Sequence, residues 1–208
     1  MAGQGVRLDR GLVGLTLLAG ASMSMGFIQL LAGPLENAAN LSVQVLAVQT
    51  TAMAAPLVIT LLLLLRDGPA LVALGTRLAQ RPPGALLRRW RHQATRLVPM
   101  ALALLPYLLG SAMVSAMLTK PELSSLNELQ FLVGNLSPAI LALSLLKTAL
   151  FAAMVLGITL AQGRRAQRLH MAPTAALSRA ISLSIAVVLG IDLIWVLLLD
   201  PNISGGGI

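Results

Sequence analysis

Five long apolar runs constrain the fold of this chain more than any other feature of its sequence. Each contains about 20 residues and few charges, which is the length that an α-helix needs to cross the hydrocarbon core of a bilayer. The runs cover residues 11–32, 42–65, 97–118, 138–161 and 180–199. The sequence therefore predicts an all-α integral membrane protein in which residues 1–208 form a single domain with five transmembrane helices.

The balance of apolar and charged residues supports the same class. Of the 208 residues, 57% are hydrophobic and 11% are charged. A soluble domain has about 25% charged residues. Because this chain has too few polar groups to cover a globule in water, its composition excludes an ordinary soluble domain.

The arginines predict an orientation. They occur only in the N-terminal segment, in residues 66–96 and in residues 164–179. The positive-inside rule assigns such segments to the cytoplasmic side, so we expect a cytoplasmic N-terminus and a C-terminus outside. The net charge of +8 then follows from topology. Since no nucleic-acid-binding pattern accompanies the arginines, we expect no nucleic-acid partner.

Two connecting segments have a pattern of their own. Residues 66–96 begin with apolar residues, break at Pro82-Pro83 and continue as a basic stretch around Trp90. This stretch is either a surface loop whose arginines enforce topology, or a short amphipathic helix at the cytoplasmic face that docks a partner. Residues 119–138 carry Leu and Phe at helical spacing, which favours a short helix on the outer leaflet.

Two ionisable side chains fall inside the apolar runs. Lys147 lies in the fourth run and Asp192 in the fifth. Because the two helices are predicted to run antiparallel, both groups lie roughly 4 Å to the outer side of the midplane, at about 1.5 Å of rise per residue. A charge at this depth is costly, so a pair is expected. The pair is a packing clasp, a conformational latch in a transport cycle, or part of an ion relay.

The first run contains small residues at helical spacing, in the sequence GASMSMG at residues 20–26. Small residues let helices approach closely, either within one chain or between two subunits. The candidates for a lipid-facing or dimer-facing surface are Ser22, Met25, Gly26 and Gln29. Prolines in the second and third runs are expected to kink those helices.

No catalytic or metal-binding constellation is visible in the sequence. The chain has no cysteine, and its two histidines, His92 and His170, lie in basic segments away from carboxylate clusters. There is no phosphate-binding glycine-rich loop of the kind that holds ATP. The chain is therefore expected not to be an enzyme, to bind no metal or cofactor, and to use ATP only through a partner.

Several segments resemble the MlaE/YrbE permeases, which are membrane subunits of ABC transporters that work with MCE proteins on lipids. Lys147 and Phe151 fall on the family pattern for the fourth helix, and Asp192 falls on its pattern for the last helix. Pro56 followed ten residues later by Arg66 reproduces a second family feature. The similarity covers roughly residues 45–200, with Leu-Gly-Thr at residues 74–76 as a further match.

The resemblance implies a function. The chain would be the multi-pass permease subunit of an ABC-type, MCE-associated transport system in a bacterial inner membrane, providing a passage for phospholipid-like lipids. Its partners would be a separate ATPase, an MCE-domain protein, and either a second copy of itself or a sister permease. Family-matched polar or kink positions are Pro56, Arg66 and Asp67. The expected ATPase-coupling residues, in the segment 66–96, are Thr76, Arg77, Arg88, Arg89 and Trp90.

The sequence also departs from the family. Only ten residues precede the first apolar run, so the family's amphipathic N-terminal helix has no counterpart. Ala73 stands where the family has an acidic residue before Leu-Gly-Thr, and the acidic coupling segment is replaced by a basic stretch. Two other functions stay open: a non-transporting membrane scaffold or assembly subunit, and a permease for another apolar cargo such as haem or a hopanoid.

Overall fold

The computed structural model describes residues 9–32, 40–119, 125–134 and 138–199. Within these ranges every regular element is an α-helix. The helices are α1 (Arg10–Ala32), α2 (Asn40–Arg77), α3 (Pro83–Leu118), α4 (Ser125–Gly134), α5 (Pro138–Arg168) and α6 (Pro173–Leu199).

Five of these helices, all except α4, are long and apolar enough to cross a bilayer. Each of the five predicted spans lies inside one of them. The expected all-helical fold with five membrane-spanning segments is therefore confirmed, and the chain is a multi-pass membrane protein in type. The orientation of its termini stays a prediction.

Helix α4 is the short helix expected between the third and fourth spans. Its Leu132 is buried, whereas Asn127, Gln130 and Val133 are exposed. Leu132 therefore packs this helix against the apolar core of its own part of the chain. Its predicted place on the outer leaflet stays a prediction.

The segment 66–96 differs from both expectations for it. It is neither a loop nor a separate surface helix, because α2 continues to Arg77 and α3 already begins at Pro83. Only residues 78–82 lie outside a helix. Burial explains the extension: Leu71 and Val72 are buried, which outweighs the helix-stop signal of the preceding Gly68-Pro69. Pro83 suits the first position of a helix, where its missing N–H is not needed.

The chain divides into two compact units, and three helices contribute to both. Unit 1 comprises Met1–Leu62 and Thr95–Ala152, and unit 2 comprises Leu63–Ala94 and Ala153–Ile208. Since the boundaries fall inside α2, α3 and α5, they do not follow a change of composition in the sequence. The prediction that residues 1–208 form a single domain stays a prediction.

Unit 1 has an apolar core to which four of its five helices contribute buried residues, and Leu141 of α5 packs against it. Ile28 of α1, Ala116 of α3 and Leu132 of α4 belong to one buried cluster together with three residues at the start of α2. These residues of α2 are Val43, Ala47 and Val48. Their spacing of four and five residues places them on one face of the helix, which is the face that the other helices cover.

Unit 2 packs α2, α5 and α6 through small residues. Val72, Ala166 and Ala176 form a buried cluster, with Met171 and Leu177 packed against it. Helices α2 and α5 approach closely, because a Cβ built on Gly163 of α5 would meet the carbonyl oxygen of Val72. The contact therefore requires glycine.

A tight turn connects α5 to α6. His170 has a φ of 52°, which is the left-handed conformation common just after a helix end. The Met171 N–H donates to the Ala166 carbonyl at 2.9 Å, and the His170 N–H donates to the backbone carbonyl of Gln167 at 3.4 Å. This pair of bonds is a Schellman motif, in which glycine is the usual residue at the position of His170.

Candidate functional site

An apolar groove of about 630 Å³ lies in unit 1 between α1 and α3. Its walls are apolar side chains and its floor is made of small residues. From α1 it is lined by Gly14, Leu17, Leu18 and Ala21, and from α3 by Pro106, Tyr107, Gly110, Ser111, Val114, Ser115 and Leu118. None of these described lining residues is charged, so the groove suits an apolar ligand.

Close contact between α1 and α3 shapes this groove. A Cβ built on Gly20 would meet the carbonyl oxygen of Leu108 and the Ser111 side chain. Next to this crossing, the Ser115 hydroxyl donates a hydrogen bond to the Ala21 carbonyl at 3.0 Å. The two helices are therefore held together at Gly20 and Ala21.

The small residues of α1 separate into two faces. Gly20 and Ser24 are buried, so they serve packing within the chain. Ser22, Met25 and Gln29 are exposed, and Met25 leaves 46% of its surface uncovered. Gly26 is half-buried, and nothing lies within 4 Å of a Cβ built on it. The four candidates therefore lie on a surface that the described chain leaves open, and what covers that surface stays a prediction.

The two intramembrane ionisable residues lie in different units. Lys147 belongs to α5 in unit 1, where only 6% of its surface is exposed. Asp192 belongs to α6 in unit 2 and is half-buried. Their predicted pairing stays a prediction.

The turn of α5 that precedes Lys147 is tied to α2. The Ser144 hydroxyl donates to the carbonyl oxygen of Ala52 at 2.9 Å. Pro56 has no N–H and therefore leaves this carbonyl without its usual donor four residues along the helix. In the following turn, the Thr60 hydroxyl donates to the Pro56 carbonyl. Pro56 is thus accommodated inside a continuous α2 by the Ser144 hydroxyl, and the Thr60 hydroxyl adds a hydrogen bond to the Pro56 carbonyl.

The family-matched residues Arg66 and Asp67 follow in the part of α2 that belongs to unit 2. Arg66 is exposed and Asp67 is half-buried. One carboxylate oxygen of Asp67 is buried and has no hydrogen-bond partner among the described residues.

The expected coupling residues lie on a helical hairpin, which we call the basic hairpin (residues 66–94). Thr76 and Arg77 belong to the last turn of α2 and Arg88, Arg89 and Trp90 to the first turns of α3. The three arginines are exposed. The structure thus brings the two groups to neighbouring helix ends, joined by a short turn.

Trp90 fixes the basic hairpin to α5. Its indole N–H donates to the Ala153 carbonyl at 2.9 Å, and a Cβ built on Gly157 would lie 3.3 Å from that nitrogen. At the end of the hairpin, an Arg164 guanidinium nitrogen donates to the Arg81 carbonyl at 3.1 Å. The hairpin therefore lies along α5 over this length and does not extend away from it.

Among the described residues, no three His, Asp or Glu side chains come together as a metal site would require.

The groove lining on α3, above all Tyr107, Gly110 and Val114, was not singled out from the sequence. Its signal was faint: small residues on α3 complement small residues on α1, about 90 positions earlier.

No protein-family model matches the chain, and a search of curated proteins finds no match. The features of this chain that indicate a function are therefore the groove, the basic hairpin and the sequence resemblance.

Proposed function

We propose that this chain is the permease subunit of an ABC-type, MCE-associated lipid transporter, and that the groove between α1 and α3 holds an acyl chain of a phospholipid-like cargo. The groove is the observation that carries the proposal. Its volume of about 630 Å³ falls within the range of about 300–1,000 Å³ usual for small-ligand sites. Its lining is apolar and lies on two membrane-spanning helices.

Two features support a partner ATPase: the missing phosphate-binding loop and the continuous helix α3. The sequence holds no phosphate-binding loop for ATP, so hydrolysis belongs to another chain. Helix α3 is continuous from Pro83 to Leu118 and carries both Arg88–Trp90 and one wall of the groove. Movement of the basic hairpin would therefore be transmitted to the groove through a single helix. Pro99 and Pro106 lie inside α3 and are natural points for it to bend.

In this mechanism the ATPase docks on the cytoplasmic hairpin near Thr76 and Arg77, and an MCE protein receives or delivers lipid at the outer end. The exposed face of α1 around Met25 contacts a second permease subunit. The setting would be a bacterial inner membrane, as the family resemblance implies.

Filling the groove tests the proposal. Gly14 lines it and has nothing within 4 Å of a built Cβ, so the first side-chain carbon of Gly14→Phe fits there and its ring would fill part of the groove. Gly190→Phe on α6 is the matched control, because Gly190 also has no neighbour within 4 Å and does not line the groove. We expect Gly14→Phe to lower the phospholipid retained by the purified protein at least severalfold, and Gly190→Phe to leave it unchanged. Equal retention by the two variants would contradict the proposal.

A further inference from the structure

A second cavity lies in the basic hairpin, where the turn after α2 meets the start of α3. Its volume is about 380 Å³, and we call it the arginine pocket. It is lined by Leu78, Arg81, Ala85, Arg88, Arg89 and His92. Three guanidinium groups and an imidazole therefore surround one cavity whose lining contains no carboxylate.

Carboxylates are rare in the described part of unit 2. Its described carboxylates are Asp67 and Asp192, and neither lines the pocket. Arginines are much more frequent in the same unit. They are Arg66, Arg77, Arg81, Arg88, Arg89, Arg91, Arg164, Arg165, Arg168 and Arg179. Guanidinium groups match the geometry of phosphate oxygens and bind them through paired hydrogen bonds.

The contacts with α5 indicate the depth of the pocket in the membrane. About 20 residues of helix cross the hydrocarbon core, and counted from Pro138 that length ends near Gly157, beside the Trp90 indole. Tryptophan favours this boundary between core and headgroups. Arg81 lies further along, beside Arg164, where the sequence of α5 has turned from apolar to basic. With the end of the hydrocarbon core placed near Gly157, the pocket between these two contacts would lie at the level of the lipid headgroups.

We propose that the arginine pocket binds the phosphate of an anionic phospholipid from the surrounding leaflet. Arg81, Arg88 and Arg89 hold the phosphate, and Leu78 and Ala85 contact the glycerol and the first carbons of the chains. A headgroup reaches this depth from within the bilayer, whereas an acidic helix of a soluble partner would have to enter it from water. The site requires only that the chain spans a membrane, so it stands independently of the proposed transport.

Tryptophan fluorescence tests this site directly, because the chain contains two tryptophans and Trp90 adjoins the pocket. The full-length Trp195→Phe variant, in which Trp90 is the only tryptophan, is reconstituted in phosphatidylcholine vesicles. Brominated phosphatidylglycerol or brominated phosphatidylcholine is then added at increasing mole fraction. We expect the anionic lipid to quench Trp90 at a mole fraction at least tenfold lower, since each basic residue at an anionic surface contributes roughly fivefold.

Two charge-matched variants separate the pocket from general attraction. Arg88→Gln/Arg89→Gln removes two lining residues, and Arg165→Gln/Arg168→Gln removes two exposed arginines that do not line the pocket. The preference for phosphatidylglycerol is expected to fall at least fivefold in the first variant and less than twofold in the second. Circular dichroism confirms that both retain their helices.

Three results would overturn the proposal. An equal fall in both variants would mean that only surface charge attracts the lipid. Competition by glycerol phosphate as strong as that by the lipid would assign the pocket to a soluble anion. An unchanged preference in Arg88→Gln/Arg89→Gln, with loss of a co-purifying ATPase, would assign these arginines to protein docking. Failure of lipid transport alone would bear on the proposed function and leave this site intact.

Discussion

The hydroxyl of Ser144 donates a hydrogen bond of 2.9 Å to the carbonyl oxygen of Ala52, and so replaces the donor that Pro56 removes from α2. The side chains of Ser144 and Pro56 are both buried. Inside a membrane, no water is available to donate a hydrogen bond to an unpaired carbonyl. A serine on α5 therefore makes a proline in the middle of α2 tolerable, and the two helices are linked at that turn.

This arrangement predicts a specific non-additivity. Ser144→Ala should lower the free energy of unfolding by about 1–3 kcal/mol, because it leaves a buried carbonyl unsatisfied. In a Pro56→Ala background the same substitution should cost clearly less, since alanine in place of the proline restores the helical N–H. Unfolding in mixed detergent micelles, followed by circular dichroism, measures both costs. Identical costs in the two backgrounds would show that the hydroxyl does not serve the proline.

The crossing of α1 and α3 predicts a contrast between two glycines of one helix. Gly20→Ala should destabilise the protein by about 1–3 kcal/mol, as overpacking does, because its Cβ would meet the Leu108 carbonyl. Gly14→Ala has open space and should be neutral or slightly stabilising, since alanine is the better helix former. Thermal denaturation in detergent compares the two. A cost at Gly14 that matched the cost at Gly20 would argue against the close crossing.

The turn after α5 predicts a stabilising substitution. His170 adopts a φ of 52°, which costs an L-residue other than glycine about 1–2 kcal/mol. We therefore expect His170→Gly to raise the free energy of unfolding by roughly 0.5–1 kcal/mol, after the greater chain entropy of glycine is counted. His92→Gly, at the chain's other histidine, lies inside α3 and should destabilise by about 1 kcal/mol. The sign of the two effects is the test, and a loss of stability in both would contradict the turn geometry.

The latch interpretation of Lys147 and Asp192 makes a prediction about transport. If the two charges pair, neutralising one leaves the other uncompensated, at a cost of about 3–5 kcal/mol. The double variant Lys147→Met/Asp192→Asn should then recover most of the stability that each single variant loses. A latch further predicts that this stable double variant transports lipid at least tenfold more slowly. Wild-type transport by the double variant would leave only a packing clasp, and wild-type stability of both single variants would exclude a pair.

The sequence predicted the five spans correctly because hydropathy over about 20 residues directly reflects the thickness of a bilayer. It also indicated α4, from Leu and Phe at helical spacing. The interpretation of residues 66–96 as a loop or a separate surface helix was wrong, since the arginines mark the ends of the apolar runs and not the ends of α2 and α3. What keeps these residues helical is the burial of Leu71 and Val72, which depends on helices far away in the chain.

The candidate site was harder to predict for the same reason. The groove needs two walls from α1 and α3, and neither wall is distinctive alone. Trp90 was noted from the sequence for its basic surroundings, but its hydrogen bond to Ala153 depends on Gly157 having no side chain to displace the indole. Contacts between two helices are marked in the sequence only by glycines, serines and prolines. Such residues are common in any membrane helix.

Affinity purification of the tagged protein in mild detergent, with mass spectrometry of the proteins and lipids that accompany it, tests the central claim most directly. The proposed function predicts an ABC-type ATPase and an MCE-domain protein, with phospholipid retained by the wild type and depleted in Gly14→Phe. Recovery of the protein without either partner, and with equal phospholipid in both forms, would contradict the assignment as a lipid permease and favour a membrane scaffold.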